Sequence, residues 1–155
     1  MQIKLATSYG FCFGVKRAIK IAENSHNAST IGPLIHNNEE INRLKENFNV
    51  KTLHHISEAK GIEKAIIRTH GIPKKDLETL QAQNIEVINA TCPYVTKPQE
   101  ICEKMSQEGY EIVIFGDADH PEVKGVESYA INGAVVVQSV EELENGINEY
   151  FIVTP

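Results

Sequence analysis

Val87-Ile88-Asn89-Ala90-Thr91-Cys92-Pro93-Tyr94-Val95 is an apolar pair that runs into a small polar loop, then a cysteine, then a proline that opens a new segment. A proline at the first helical position loses nothing by lacking an N–H and arrives with φ already helical, so a strand ends before Cys92 and a helix begins after it. The same order of events recurs four times. Lys4-Leu5-Ala6 leads to Cys12, Thr30-Ile31 to His36, Ala65-Ile66-Ile67 to His70, and Ile112-Val113-Ile114-Phe115 to His120. A helix-start signal follows each loop. After Cys12 and Gly14, the apolar positions Val15, Ala18, Ile19 and Ala22 recur with helical spacing. After His36, Asn37 with Glu40 three residues on resembles a capping box ahead of Ile41, Leu44 and Phe48. Pro73 after Gly71-Ile72, and Pro121 after His120, are both placed to open helices.

Extended along the chain, this reading alternates strands and helices: strand near 2–6, helix 14–24, strand 28–31, helix 38–47, strand 49–52, a short helix 57–60, strand 64–68, helix 73–83 and strand 85–88. It continues with helix 94–108, strand 111–115, helix 121–129, strand 134–137, helix 140–145 and strand 150–153. Such alternation predicts an α/β fold with mostly parallel sheets. In that architecture strand ends and the following helix N-termini share one edge, so the five loops converge on a common crevice. Helix N-termini offer unpaired N–H groups and partial positive charge, which favour a thiolate or a phosphate. The crevice is therefore read as an anion and metal site.

Composition narrows the partners. The 155 residues can bury a core of one domain or two small ones, with 41% hydrophobic and 23% charged residues. No run approaches the roughly 18 apolar residues of a membrane span, and the start, Met1-Gln2-Ile3-Lys4-Leu5, reads as a strand rather than a secretory signal. A cytoplasmic protein is the default expectation. The net charge of −6 argues against nucleic-acid binding, and the clusters Lys16-Arg17-Lys20 and Lys74-Lys75 are too small to reverse it. Three cysteines, an odd number, suit reduced thiols or metal ligands better than a disulfide framework.

The pattern restarts near Cys92-Pro93, which divides the chain into small repeated α/β modules at 1–92 and 93–155. Tyr150-Phe151-Ile152-Val153 reads as a buried strand after which Thr154-Pro155 closes the sequence, so the second module is expected to be truncated.

Cys12, in Tyr9-Gly10-Phe11-Cys12-Phe13-Gly14-Val15, has glycines on both sides that permit close backbone approach and unusual dihedrals. Cys92 stands just before a helix, where the dipole stabilises a thiolate. Cys102 lies inside a helix about 15 Å along the axis from Cys92 and is read as a packing residue. His36, His70 and His120 suit hydrogen bonding to phosphate oxygens or proton relay. Glu122, beside His120, suits proton donation. His26, His54 and His55 lack this context and read as loop or surface residues.

Taken in order, Gly10-Phe11-Cys12-Phe13-Gly14-Val15-Lys16-Arg17-Ala18, Gly32-Pro33-Leu34-Ile35-His36-Asn37, Arg68-Thr69-His70-Gly71-Ile72, Ala90-Thr91-Cys92-Pro93 and His120-Pro121-Glu122-Val123-Lys124-Gly125 closely resemble the N-terminal part of the 4-hydroxy-3-methylbut-2-enyl diphosphate reductase family. This is the last enzyme of the methylerythritol phosphate route to isoprenoids. The resemblance implies three small α/β modules around a central [4Fe-4S] cluster whose unique iron is open to the substrate oxygen. It assigns Cys12 and Cys92 as cluster ligands, His36, His70 and His120 to the substrate diphosphate and hydroxyl network, and Glu122 as proton source. Electrons come from ferredoxin or flavodoxin, and the products are isopentenyl and dimethylallyl diphosphate. The family's third cluster cysteine and its Ser-x-Asn and later Ser contacts to diphosphate lie in a C-terminal part into which this sequence does not extend. Cys102 does not match that third cysteine, and Thr154 receives no role.

Two other readings stand beside it. The chain could be a non-catalytic fragment or scaffold that binds diphosphate or a partner chain, or it could build a zinc site from Cys12, Cys92 and a nearby histidine.

Overall fold

The computed structural model describes residues 3–143 and 150–153. Two parallel sheets organise them. The first uses β1 (Ser29–Ile31), β2 (Lys51–Leu53), β3 (Lys64–Ile67) and β4 (Glu86–Asn89) in the order β2-β1-β3-β4. The second uses β5 (Glu111–Phe115), β6 (Ala134–Val137) and β7 (Tyr150–Val153) in the order β6-β5-β7. Every pairing is parallel, as the alternation of strands and helices predicts.

Helices α1 (Phe13–Asn24) and α2 (Asn38–Phe48) cover one face of the first sheet, while a 3-10 turn at Ile56–Ala59 and α3 (Lys74–Ala82) cover the other. Strand β3 shows why its apolar run is continuous. Ile66 points into the core with Ala18, Ala22, Leu34 and Leu44, whereas Ala65 and Ile67 point into the opposite core with Ala59 and Leu80. A strand buried on both faces cannot carry the polar alternation of a half-exposed one. In α1 the buried positions Gly14, Ala18 and Ala22 are small and four residues apart, so the helix lies close on its neighbours.

Helix α4 (Pro93–Gln107) leaves the first sheet and packs, with α5 (Pro121–Glu127), against β5 of the second. Cys102 is fully buried there beside Ile112, Ile114, Val123 and Val126, and burial pushes its thiol up to about 11, with the charges of Glu103 and Glu127 adding to the effect. This is the packing role its helical context predicts. Lys74 ties the two sheets together. Its backbone N–H donates to Ser128 Oγ at 3.0 Å and its ammonium to Glu103 Oε1 at 2.7 Å.

Three expectations fail. The strand expected near 2–6 is absent from residues 3–6, Gln2 lying outside those described: Ile3 and Leu5 are 74% and 77% exposed, and neither sheet pairs with this segment, so its strand-like pattern finds no edge. The helix expected at 140–145 is absent from residues 140–143, where Leu143 N–H donates to the Val140 carbonyl in a turn and Glu142 caps the Gln138 N–H; residues 144 and 145 lie outside those described. Val140 is 72% exposed and buries little apolar surface that could anchor a helix. Pro73 is the N-cap of α3 rather than its first helical residue. Thr154 and Pro155 also lie outside the described residues. Among the described residues no helix is long and apolar enough to cross a membrane.

Ile66→Ala removes a fully buried side chain from the central strand. It should cost about 2–5 kcal/mol, read as a lower urea midpoint at unchanged slope; a loss under about 1 kcal/mol would contradict this packing.

Candidate functional site

Register puts the functional loops level. Ile31 pairs with Ile67, and Ile67 with Asn89, so the chain leaves β1, β3 and β4 at one height towards His36, His70 and Cys92. The two cysteines cap neighbouring helices. Cys12 is the N-cap of α1 and Cys92 of α4, both extended, and neither thiol is used in capping. A Cβ placed on Gly14 would lie 2.6 Å from Cys92 Sγ and 3.2 Å from its Cβ, so the sulfur of Cys92 occupies the space that glycine leaves in the first turn of α1. Glycine is required at 14 for room, whereas Gly10, at φ +112°, supplies the unusual dihedral.

Further bonds hold the two helix starts together. Cys92 N–H donates to the Thr69 carbonyl at 2.9 Å, and Arg17 donates to the Thr91 carbonyl at 3.1 Å and the Asn89 carbonyl at 3.3 Å. In the sequence Arg17 is only one member of the small basic cluster Lys16-Arg17-Lys20. Its spacing on α1 is ordinary, and only the fold brings it to the β4–α4 loop. A cleft of about 420 Å³ opens there, lined by Arg17, Asn89, Thr91, Pro93, Thr96, Lys97 and Glu100.

The three histidines come together. The rings of His36 and His70 are 4.8 Å apart between centroids, and those of His70 and His120 are 6.5 Å apart. His70 is half-buried, while His36 and His120 are exposed. His120 caps α5, its Nδ1 accepting from the Glu122 N–H at 3.3 Å. Glu122 Oε1 approaches His70 Nε2 to 3.6 Å. Burial holds His70 below its ordinary pKa; Glu122 opposes this, while His36, Arg68 and His120 reinforce it. Half of the capping box after His36 forms. Asn37 Oδ1 accepts from the Glu40 N–H, but Glu40 turns its carboxylate to Arg43 rather than back to Asn37.

His26 lies against Phe48, and His54 and His55 are exposed; none of the three stacks with the histidine cluster among the described residues. Among the described residues no group of three His, Cys, Asp or Glu side chains is placed to hold a metal ion. The zinc site of Cys12, Cys92 and a histidine is therefore not formed by this geometry.

This geometry can be set beside known proteins. A family model described as LytB protein matches residues 3–154. The chain belongs to the LytB protein family. The chain is 69% identical over 144 residues to the 4-hydroxy-3-methylbut-2-enyl diphosphate reductase of Campylobacter curvus, covering 93% of this chain and 53% of that protein. It is 66% identical over 145 residues to the Campylobacter jejuni protein of the same name, covering 94% and 52%. A solved structure of (E)-4-hydroxy-3-methyl-but-2-enyl diphosphate reductase, described as the terminal enzyme of the non-mevalonate pathway, superposes with a TM-score of 0.79 at 38% identity, covering 94% of this chain and 55% of that one. The Plasmodium falciparum reductase structure gives 0.86 at 25% identity, covering 96% and 49%. This LytB-family chain thus spans about half the length of the curated relatives it matches.

Because His70 has a lowered pKa in the folded chain, it binds fewer protons than the unfolded chain below its ordinary 6.5. Its contribution to stability is therefore present above pH 6.5 and lost as pH falls through the folded value. Glu122→Gln removes a group that favours the charged ring, so the His70 midpoint, followed by imidazole NMR, should fall further. A rise would contradict the pairing.

Proposed function

We propose that this chain supplies the cysteine and histidine half of a reductase that converts 4-hydroxy-3-methylbut-2-enyl diphosphate to isopentenyl and dimethylallyl diphosphate. The reaction balances as loss of the allylic hydroxyl: two electrons and two protons enter, a C–O bond breaks, a C–H bond forms and water leaves. The observation that carries the reading is the Cys92 sulfur seated over Gly14 in the first turn of the helix that Cys12 caps. Two thiols at adjacent helix starts fit as two ligands of an iron–sulfur cluster, since the N-terminal dipoles favour the thiolate form. When bound, such a [4Fe-4S] cluster supplies the electrons and a Lewis-acidic iron. A further ligand falls to the part of the relatives that this chain does not span.

The remaining work falls to the histidine side. His36, His70 and His120 form a row of imidazoles at the strand ends, suited to donate to diphosphate oxygens. With its pKa lowered, His70 is neutral near pH 7 and offers one ring N–H. Glu122 is the proposed proton donor, held beside His70 and His120. The chain then reads as module 1–92 and module 93–155 of a three-module arrangement around the cluster. A small electron carrier such as ferredoxin or flavodoxin would deliver the electrons. Three free cysteines suit the reducing cytoplasm. A second reading, a diphosphate-binding scaffold without a cluster, rests on the row of histidines alone.

Anaerobic reconstitution with iron and sulfide separates the two, in a polypeptide extended to the relatives' length. Loss of bound iron in Cys12→Ser and Cys92→Ser, with Cys102→Ser unaffected, supports the reductase; equal loss in all three overturns the ligand assignment. Gly14→Ala should lower iron content as well, because its methyl group claims the place of Cys92 Sγ. In active protein, Glu122→Gln should lower kcat by about 100-fold or more with KM little changed. His36→Ala should raise KM instead, by roughly tenfold or more.

A further inference from the structure

Gln99 lies in the middle of α4, 5% exposed, and its Nε2 is the one fully buried side-chain nitrogen or oxygen among the described residues that lacks a hydrogen-bond partner. A buried amide without a partner is costly, and an apolar side chain of the same length would avoid that cost. Its surroundings suggest a use. Nε2 would lie 2.8 Å from a Cβ on Gly71 and 3.5 Å from one on Gly125. Gly71 follows His70 in a turn with φ +74°, and Gly125 belongs to α5, one turn beyond Glu122. The amide therefore sits between the loop that carries His70 and the helix that carries Glu122.

The His70 carbonyl borders the same spot, 3.6 Å from the Gly125 Cβ position, and accepts no hydrogen bond among the described residues. A spare donor and a spare acceptor thus flank one glycine. The terminal torsion of a glutamine is broad and soft, so the amide is free to turn its N–H towards that carbonyl.

We propose that Gln99 is a positioning residue for the His70–Glu122 pair, its amide donating to the His70 carbonyl and so fixing the turn against α5. The proposal rests on the reading of His70 and Glu122 as the acting pair only for its consequence in catalysis. Its test reads the ring itself in protein without iron, so failure of the cluster assignment leaves it standing.

The groups that face the His70 ring are Glu122, His36, Arg68 and His120. The test follows the His70 imidazole by NMR titration with and without Glu122→Gln, in the parent chain and in Gln99→Met. Methionine keeps the length and apolar bulk but not the donor. The downward displacement caused by Glu122→Gln should shrink to less than half in Gln99→Met, and the thermal midpoint should fall because the His70 carbonyl loses its donor. An unchanged displacement overturns the proposal, since the amide would then be filler. Should Gln99→Met fail to fold, Gln99→Leu is read in the same way.

Discussion

Parallel pairing in level register is the constraint from which the site follows. With Ile31 opposite Ile67 and Ile67 opposite Asn89, three strands end together, and whatever the next residues are must share one edge. Parallel strands cannot be joined by tight hairpins, so each is followed by a helix, and each helix presents its N-terminus at that edge. After β4 Cys92 stands as an N-cap, and after β1 His36 precedes the cap Asn37 by one residue; Cys12 caps α1 with no strand before it, and His120 caps α5 after β5 of the second sheet. The chemistry is concentrated by topology before any side chain contributes.

Helix α4 turns that edge into a joint between the two sheets. Its N-terminus lies at the first sheet, with Cys92 bonded to the Thr69 carbonyl and its sulfur against Gly14. Its middle lies in the second, with Cys102 in the core and Glu103 paired with Lys74. A rotation of α4 would move the sulfur, the Gln99 amide and the Lys74 anchor together. The approach of His70 from the first sheet to Glu122 from the second depends on the same helix.

Most elements were legible because their signals are local. β5, β6 and β7 match the apolar runs 111–115, 134–137 and 150–153 residue for residue, and the prolines at 93 and 121 open α4 and α5. The histidines could be foreseen as a group because each lies in the loop that follows a strand. Strand order, by contrast, follows from how helices fill each face, which no short window records. The apolar pattern of residues 3–6 failed because a strand exists only where an edge accepts it. The close approach at Gly14 was foreseen but not that Cys92 fills it, and Arg17 and Gln99 were missed as site-building residues, for a related reason. Their roles lie in the space and partners supplied by segments far along the chain, and their own spacing is ordinary.

The central claim is that the two thiol-bearing helix starts and the histidine row share one edge of the fold. Proton–proton Overhauser contacts in the isolated chain test it most directly. Cross-peaks from the Cys92 Hβ protons to the Gly14 Hα protons, together with cross-peaks between the His36 and His70 rings, are predicted by the seat at Gly14 and the 4.8 Å ring separation. Well-resolved spectra with neither set would contradict the account.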